Sequence, residues 1–161
     1  MAFDSFIKFD SIEGESTDQK HNGWIELLDG SMHIRQPVGL SSSASQGMTT
    51  GRADFGDFCF TKNLDKSTPS LALAAAKGTH FGEVTVELCR AGDEKVKFME
   101  YKFKNAVISS ISMNNSGDFP TESVSLFYTT VKWSYAQQNR QGGGLKGHVA
   151  AGWDRQRNCK L

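Results

Sequence analysis

The chain has 161 residues, with 18 Lys plus Arg against 18 Asp plus Glu, so its formal net charge is zero; 38% of residues are hydrophobic and 22% charged. That is the size of one domain with enough apolar content for a core, which excludes disorder and argues against a strongly cationic nucleic-acid binder or a polybasic membrane-surface protein. The longest apolar run, Leu71–Ala76, has six residues, against the roughly 20 that a membrane-spanning helix needs, so no membrane insertion is expected.

The elements read as mostly β, because aromatic and β-branched residues alternate with Gly, Asn, Asp and Ser clusters and only three prolines occur. A first strand is expected within residues 2–12, with Phe3, Ile7 and Phe9 on one face and Phe6 on the other, so both faces are covered. A loop follows at 14–18. A second strand lies within 24–38, broken by the turn dipeptide Asp29-Gly30. Residues 39–51 form a long, polar, Ser/Gly-rich loop of a kind that is rare in a compact domain unless it has a task. A third strand spans 54–61. One helix is expected at 68–77, capped by Ser67 or Thr68, with Pro69 in its first turn and Gly78 as its stop.

The strand at 83–90 alternates cleanly, with Val84, Val86 and Leu88 pointing one way and Glu83, Thr85 and Glu87 the other. A turn at 91–94 leads to a strand at 96–104. The phase slip from Phe98 to Met99, Tyr101 and Phe103 there predicts a bulge. A separate strand is expected at 107–113, a turn at 114–118 and a last long strand at 122–137. Residues 141–144 read as a flexible linker, and the tail from Lys146 as short and polar with Trp153 as its apolar anchor. Seven or eight strands and one helix fit a small β-barrel or a tightly curled sandwich with the helix packed on it, within a single domain, residues 1–161.

Tests for chemistry return little. His21, His33, His80 and His148 have no metal-site spacing, and Cys59, Cys89 and Cys159 form no CxxC and suggest no disulfide framework. Neither a metal nor another cofactor is expected. The serines at 41–45 lack a GxSxG elbow, and residues 142–147 fail the phosphate-loop order. Asn114-Asn115-Ser116 reads as a polar turn rather than a glycosylated sequon. The residues at 1–4 lack the basic start and apolar stretch of a Sec signal. A nearly neutral β protein with a long polar loop suits function by assembly. The alternatives are a monomeric barrel that binds a small ligand and a small hydrolase whose catalytic groups converge in one pocket.

Several segments together resemble one family. Phe6 to Asp18, ending Ile12-Glu13-Gly14-Glu15-Ser16-Thr17-Asp18, and Trp24-Ile25-Glu26-Leu27 look like the opening strand and loop of the Hcp (haemolysin-coregulated protein) family. Phe58 to Leu71, with Lys62, Asp65, Pro69 and Leu71, resembles its entry to the helix. Glu122-Ser123-Val124-Ser125-Leu126-Phe127-Tyr128 resembles a later strand, and Gly152-Trp153-Asp154 a C-terminal element. Residues 29–37 depart from the serine-aromatic segment that many relatives carry.

The resemblance implies a barrel of two curled, antiparallel-rich β-sheets with a flanking helix, and a non-enzymatic tube subunit of bacterial type VI secretion. It implies homohexameric rings stacked into a tube, with a VgrG spike, a contractile sheath and baseplate proteins as partners and small effectors carried in the lumen. The protein would reside in the cytoplasm during assembly and then be secreted. The family's extended loop matches residues 38–52, which makes Pro37, Val38, Leu40, Ser42, Met48, Thr50 and Arg52 the expected ring or stacking contacts. Leu40 and Met48 are its expected apolar anchors, with backbone hydrogen bonds to the next subunit. A free surface loop is the alternative for that segment.

Overall fold

The computed structural model describes residues 2–40, 47–92, 94–138 and 145–161. Ser42 with the rest of the serine cluster, Asp93 and the expected linker at 141–144 therefore lie outside the described residues.

In chain order come β1 (Phe3–Phe9), β2 (Ile25–Leu27), β3 (Asp29–Ser31), β4 (Ile34–Arg35), β5 (Val38–Leu40), β6 (Met48–Thr50), β7 (Asp54–Phe55) and β8 (Phe58–Asn63). Then follow α1 (Thr68–Lys77), β9 (Phe81–Arg90), β10 (Lys97–Asn114), β11 (Thr121–Gln138), β12 (Leu145–Asp154) and β13 (Cys159–Lys160). The described residues are mainly β with one helix, as the alternation and the Pro69–Gly78 punctuation predict. Gly78 stops the helix at φ 67°, a backbone state that favours glycine.

The long β10–β11 hairpin is the spine. The first part of β10 pairs with β9, while β11 pairs with β8 through Thr121–Leu126 and with β12 through Thr130–Gln138. The expected bulge is present as a register shift between Lys97 and Met99, and a second shift lies between Ile108 and Ser110. The two strands expected at 96–104 and 107–113 are one. Asn105, at φ 49°, takes up the bend while pairing continues on both sides.

The polar tail expected from Lys146 falls within β12 and β13, β12 pairing with β11 and β13 with β12. One other expectation fails. Asp29-Gly30 is not a turn but lies within β3, and the break falls at Leu28. That break makes the segment Ile25–Ser31 serve two edges. β2 pairs with β1, β3 pairs with β8, and Leu28 N–H donates to Thr61 O at 2.8 Å. The nine-stranded sheet thus curls over its own core, but among the described residues none of the ladders closes into the expected barrel. The strands that would seal it are three residues each and bend apart at Leu28.

The concave side holds the core. Phe9, Phe58, Phe60, Phe103 and Tyr128 are all buried, and their rings meet at centroid separations such as 4.7 Å for Phe103–Tyr128 and 5.1 Å for Phe58–Phe103. Such contacts add to the area term. The Tyr128 hydroxyl donates to Gly56 O at 2.8 Å, and burial pushes its pKa up to about 12. From α1, Leu71 and Ala74 are buried, so the alanine-rich helix packs on its own sheet.

β1 is covered on both faces. Ile7 and Phe9 enter the core, whereas Phe6, on the opposite face, is buried beneath residues 14–24. Gly14 closes that segment, its N–H donating to Gly23 O at 2.8 Å. A Cβ there would fall on the Trp24 carbonyl. Gly14→Ala should cost about 1–3 kcal/mol through overpacking. Thermal unfolding should show it as a fall of about 2–4 °C per kcal/mol at this chain length.

Candidate functional site

Three features lie outside the apolar core, and two of them gather residues singled out by sequence. The first is the hairpin of β5 and β6, paired through Val38 with Thr50, Gly39 with Thr49 and Leu40 with Met48. The expected loop is therefore partly strand, and its ladder partner is its own chain. Every described residue of both strands is exposed, Leu40 at 84% and Met48 at 68%. The base is tied down. Gly51 N–H donates to Pro37 O and to Gln36 Oε1, and Arg52 Nη2 donates to Arg155 O at 2.6 Å. Each strand keeps one hydrogen-bonding edge unpaired among the described residues, the condition under which a sheet edge recruits another chain.

The second is a buried polar network at the helix entry. Lys62 and Glu122 are fully buried and form an ion pair, and Lys62 Nζ also lies 3.0 Å from Asp65 Oδ1. Thr68 Oγ1 accepts the Asp65 N–H and donates to Glu122 Oε1 at 3.2 Å. Ser67 occupies the cap position without capping, because its hydroxyl donates to Asp65 instead. The motif positions Lys62, Asp65 and Glu122 thus meet around one ammonium group and fix α1 against β8 and β11. Beside them Pro69 stands in the first turn of the helix, and Leu71, Val124 and Leu126 are buried. Trp153 packs against the core edge near Phe55. Gly14, Ser16 and Asp18 shape the loop over Phe6, where the buried Ser16 hydroxyl accepts the Asp18 N–H.

The third lies under that loop. The His21 ring stacks on Phe6 at 4.2 Å, with Nδ1 2.7 Å from Asp18 Oδ1 and Nε2 2.6 Å from Glu87 Oε2. A neutral imidazole donates to only one of these carboxylates; the doubly protonated ring satisfies both. Cys89 Sγ is 3.8 Å from Nε2. Burial pushes the Cys89 thiol up to about 11, and the side chain has no exposure. The thiol of this Cys–His–Asp set is therefore buried and not poised as a nucleophile. Sequence reading missed the cluster because 66 residues separate His21 from Glu87. The alternation Glu87-x-Cys89, which puts both on one strand face, was its only local signal.

Partial burial works against ionisation of Asp18, but hydrogen bonds from His21 and Lys95 outweigh it and hold the carboxyl down to about 2 from 3.8. A depressed acid contributes stability that is present above its unfolded value and lost as pH falls through the folded one. Acid unfolding should therefore steepen from about pH 4 toward pH 2, and Asp18→Asn should flatten that limb. Chemical denaturation at several pH values reads the difference.

A family model described as a type VI secretion system effector, Hcp, matches residues 6–135. The chain belongs to the Hcp family. The Pseudomonas aeruginosa protein hcp1 is 34% identical over 163 residues, covering 99% of both chains. A solved type six secretion system protein superposes with a TM-score of 0.92 at 34% identity, over 99% of this chain and all of that one. Hcp1 from Salmonella typhimurium gives 0.81 at 29% identity over the full length of both. This Hcp chain is thus a type VI secretion protein of mainly β architecture. Among its described residues no helix is long and apolar enough to cross a membrane.

Proposed function

We propose that this Hcp protein is the tube subunit of a type VI secretion system. Six copies close into a ring, and rings stack into a tube that a contractile sheath expels behind a VgrG spike, from a baseplate, with small effectors in its lumen. It acts by assembling and not by catalysis. It is made in the cytoplasm and then secreted by the type VI machinery.

The observation that carries this reading is the β5–β6 hairpin. A ring needs a heterologous interface built from two different patches of each subunit. Leu40 and Met48, cross-strand partners and both largely in water, form an apolar pair that burial against a neighbour would stabilise. The unpaired edges of β5 and β6 offer backbone groups to the next copy, and Pro37, Val38, Thr50 and Arg52 flank the contact. Zero net charge spares identical stacked rings a large mutual repulsion.

Export tests the reading in a cell. In a bacterium with an active type VI system the protein should accumulate in the medium, and deletion of the sheath should keep it inside. Equal release from both strains would contradict the proposal.

A further inference from the structure

The cluster beneath the N-terminal loop has the composition of a metal site. We propose that His21, Glu87 and Cys89 bind one zinc-class divalent cation, which staples the loop carrying His21 to strand β9. One donor atom from each of the three lies within 4.8 Å of the others, His21 Nε2 being 2.6 Å from Glu87 Oε2 and 3.8 Å from Cys89 Sγ. One imidazole nitrogen, one thiol sulfur and one carboxylate oxygen form a donor set suited to a zinc-class ion, and a fourth position is left to water.

Three further features support it. Asp18 Oδ1 sits 2.7 Å from His21 Nδ1, the place where the outer-shell carboxylate of a metal-bound histidine stands. The ring is already oriented, stacked on Phe6 and met edge-on by Trp24 at 4.8 Å. Cys89, opposite Asp4 of β1 in the ladder, is fully buried, and His21 Nε2 at 3.8 Å is its polar neighbour. That separation is close to the roughly 3.6 Å between nitrogen and sulfur ligands of tetrahedral zinc.

The charges facing the cluster from each packed element are Asp4 on β1, Asp18 on the loop, Lys95 before β10, and Lys97 and Glu100 on β10. Lys95 pairs with Asp4 and Asp18, and Lys97 pairs with Glu100 and with Glu87 Oε1. The lysines are thus engaged on the outer oxygens, and Glu87 Oε2 faces inward. Binding requires one adjustment. His21 Nε2 and Glu87 Oε2, now 2.6 Å apart, must open to about 3.3 Å, which a small rotation of the Glu87 carboxylate supplies. The cation takes the place of the Cys89 thiol proton and of the proton between His21 and Glu87, and both leave to solvent.

Cobalt(II), a spectroscopic stand-in for zinc, tests the proposal on the full chain after chelator treatment in a phosphine reductant. One equivalent should produce a thiolate-to-cobalt charge-transfer band and intense tetrahedral visible bands, and added zinc should remove both. Cys89→Ser should abolish the charge-transfer band, and Asp18→Asn should weaken binding by about 10- to 100-fold. If Cys89→Ser fails to fold, the Cys59→Ser/Cys159→Ser double variant decides, because Cys89 is then the only thiol. A retained band supports the site. No band in the parent chain, a band that survives Cys89→Ser, or one lost in the double variant overturns it.

Discussion

Met48→Asp and Leu40→Asp are each expected to abolish ring formation while leaving the subunit folded. Both side chains are mostly in water in the isolated chain, so the substitution should change subunit stability by no more than about 0.5 kcal/mol. In an assembled ring the same position holds an unpaired carboxylate against a neighbour, at a cost of about 2 kcal/mol or more. That is roughly a 30-fold loss per contact, and it recurs at every junction of a closed ring. Sedimentation velocity should show monomer for both variants at concentrations where the parent assembles, with the thermal midpoint of the subunit unchanged. Unaltered rings would show that the hairpin is a bystander.

The other large effect is expected inside the fold. Lys62→Met should destabilise the chain by about 3–5 kcal/mol, because it strands the fully buried Glu122 carboxylate without its cation. Glu122 Oε2 already has no hydrogen-bond partner among the described residues. Asp65 should suffer less, since it is partly exposed and keeps Ser67 as a donor. The double variant Lys62→Met/Glu122→Leu should recover most of the loss, because apolar replacement of a whole buried pair is often neutral or better. Urea unfolding of the parent, both single variants and the double variant gives the coupling directly. Equal destabilisation in the single and double variants would mean that the network is held by packing rather than by charge.

What the sequence conveyed follows the range of the interaction involved. The helix at 68–77 was legible because Pro69 and Gly78 act within a turn of where they stand. The bulge near Phe98 was legible because a phase slip in alternation is local. By contrast, the strand at Leu145–Asp154 contains Gly147, Ala150, Ala151 and Gly152, poor strand formers that become strand by pairing with β11. The expected turn at Asp29-Gly30 gave way for the same reason, since β8 supplies the partner that holds those residues extended. The expected barrel failed on a detail no periodicity encodes, the break at Leu28. Lys62 and Glu122 attracted notice only through the family resemblance, because composition places lysine and glutamate at the surface. The His21 cluster is a product of tertiary folding, joining a loop to a strand far along the chain.

The account stands on self-assembly, and the most direct measurement is sedimentation velocity of the purified, reduced protein with negative-stain microscopy of the same sample. The account predicts a species near six times 17.7 kDa, seen as rings with a central hole. A strict monomer at every concentration tested would contradict it.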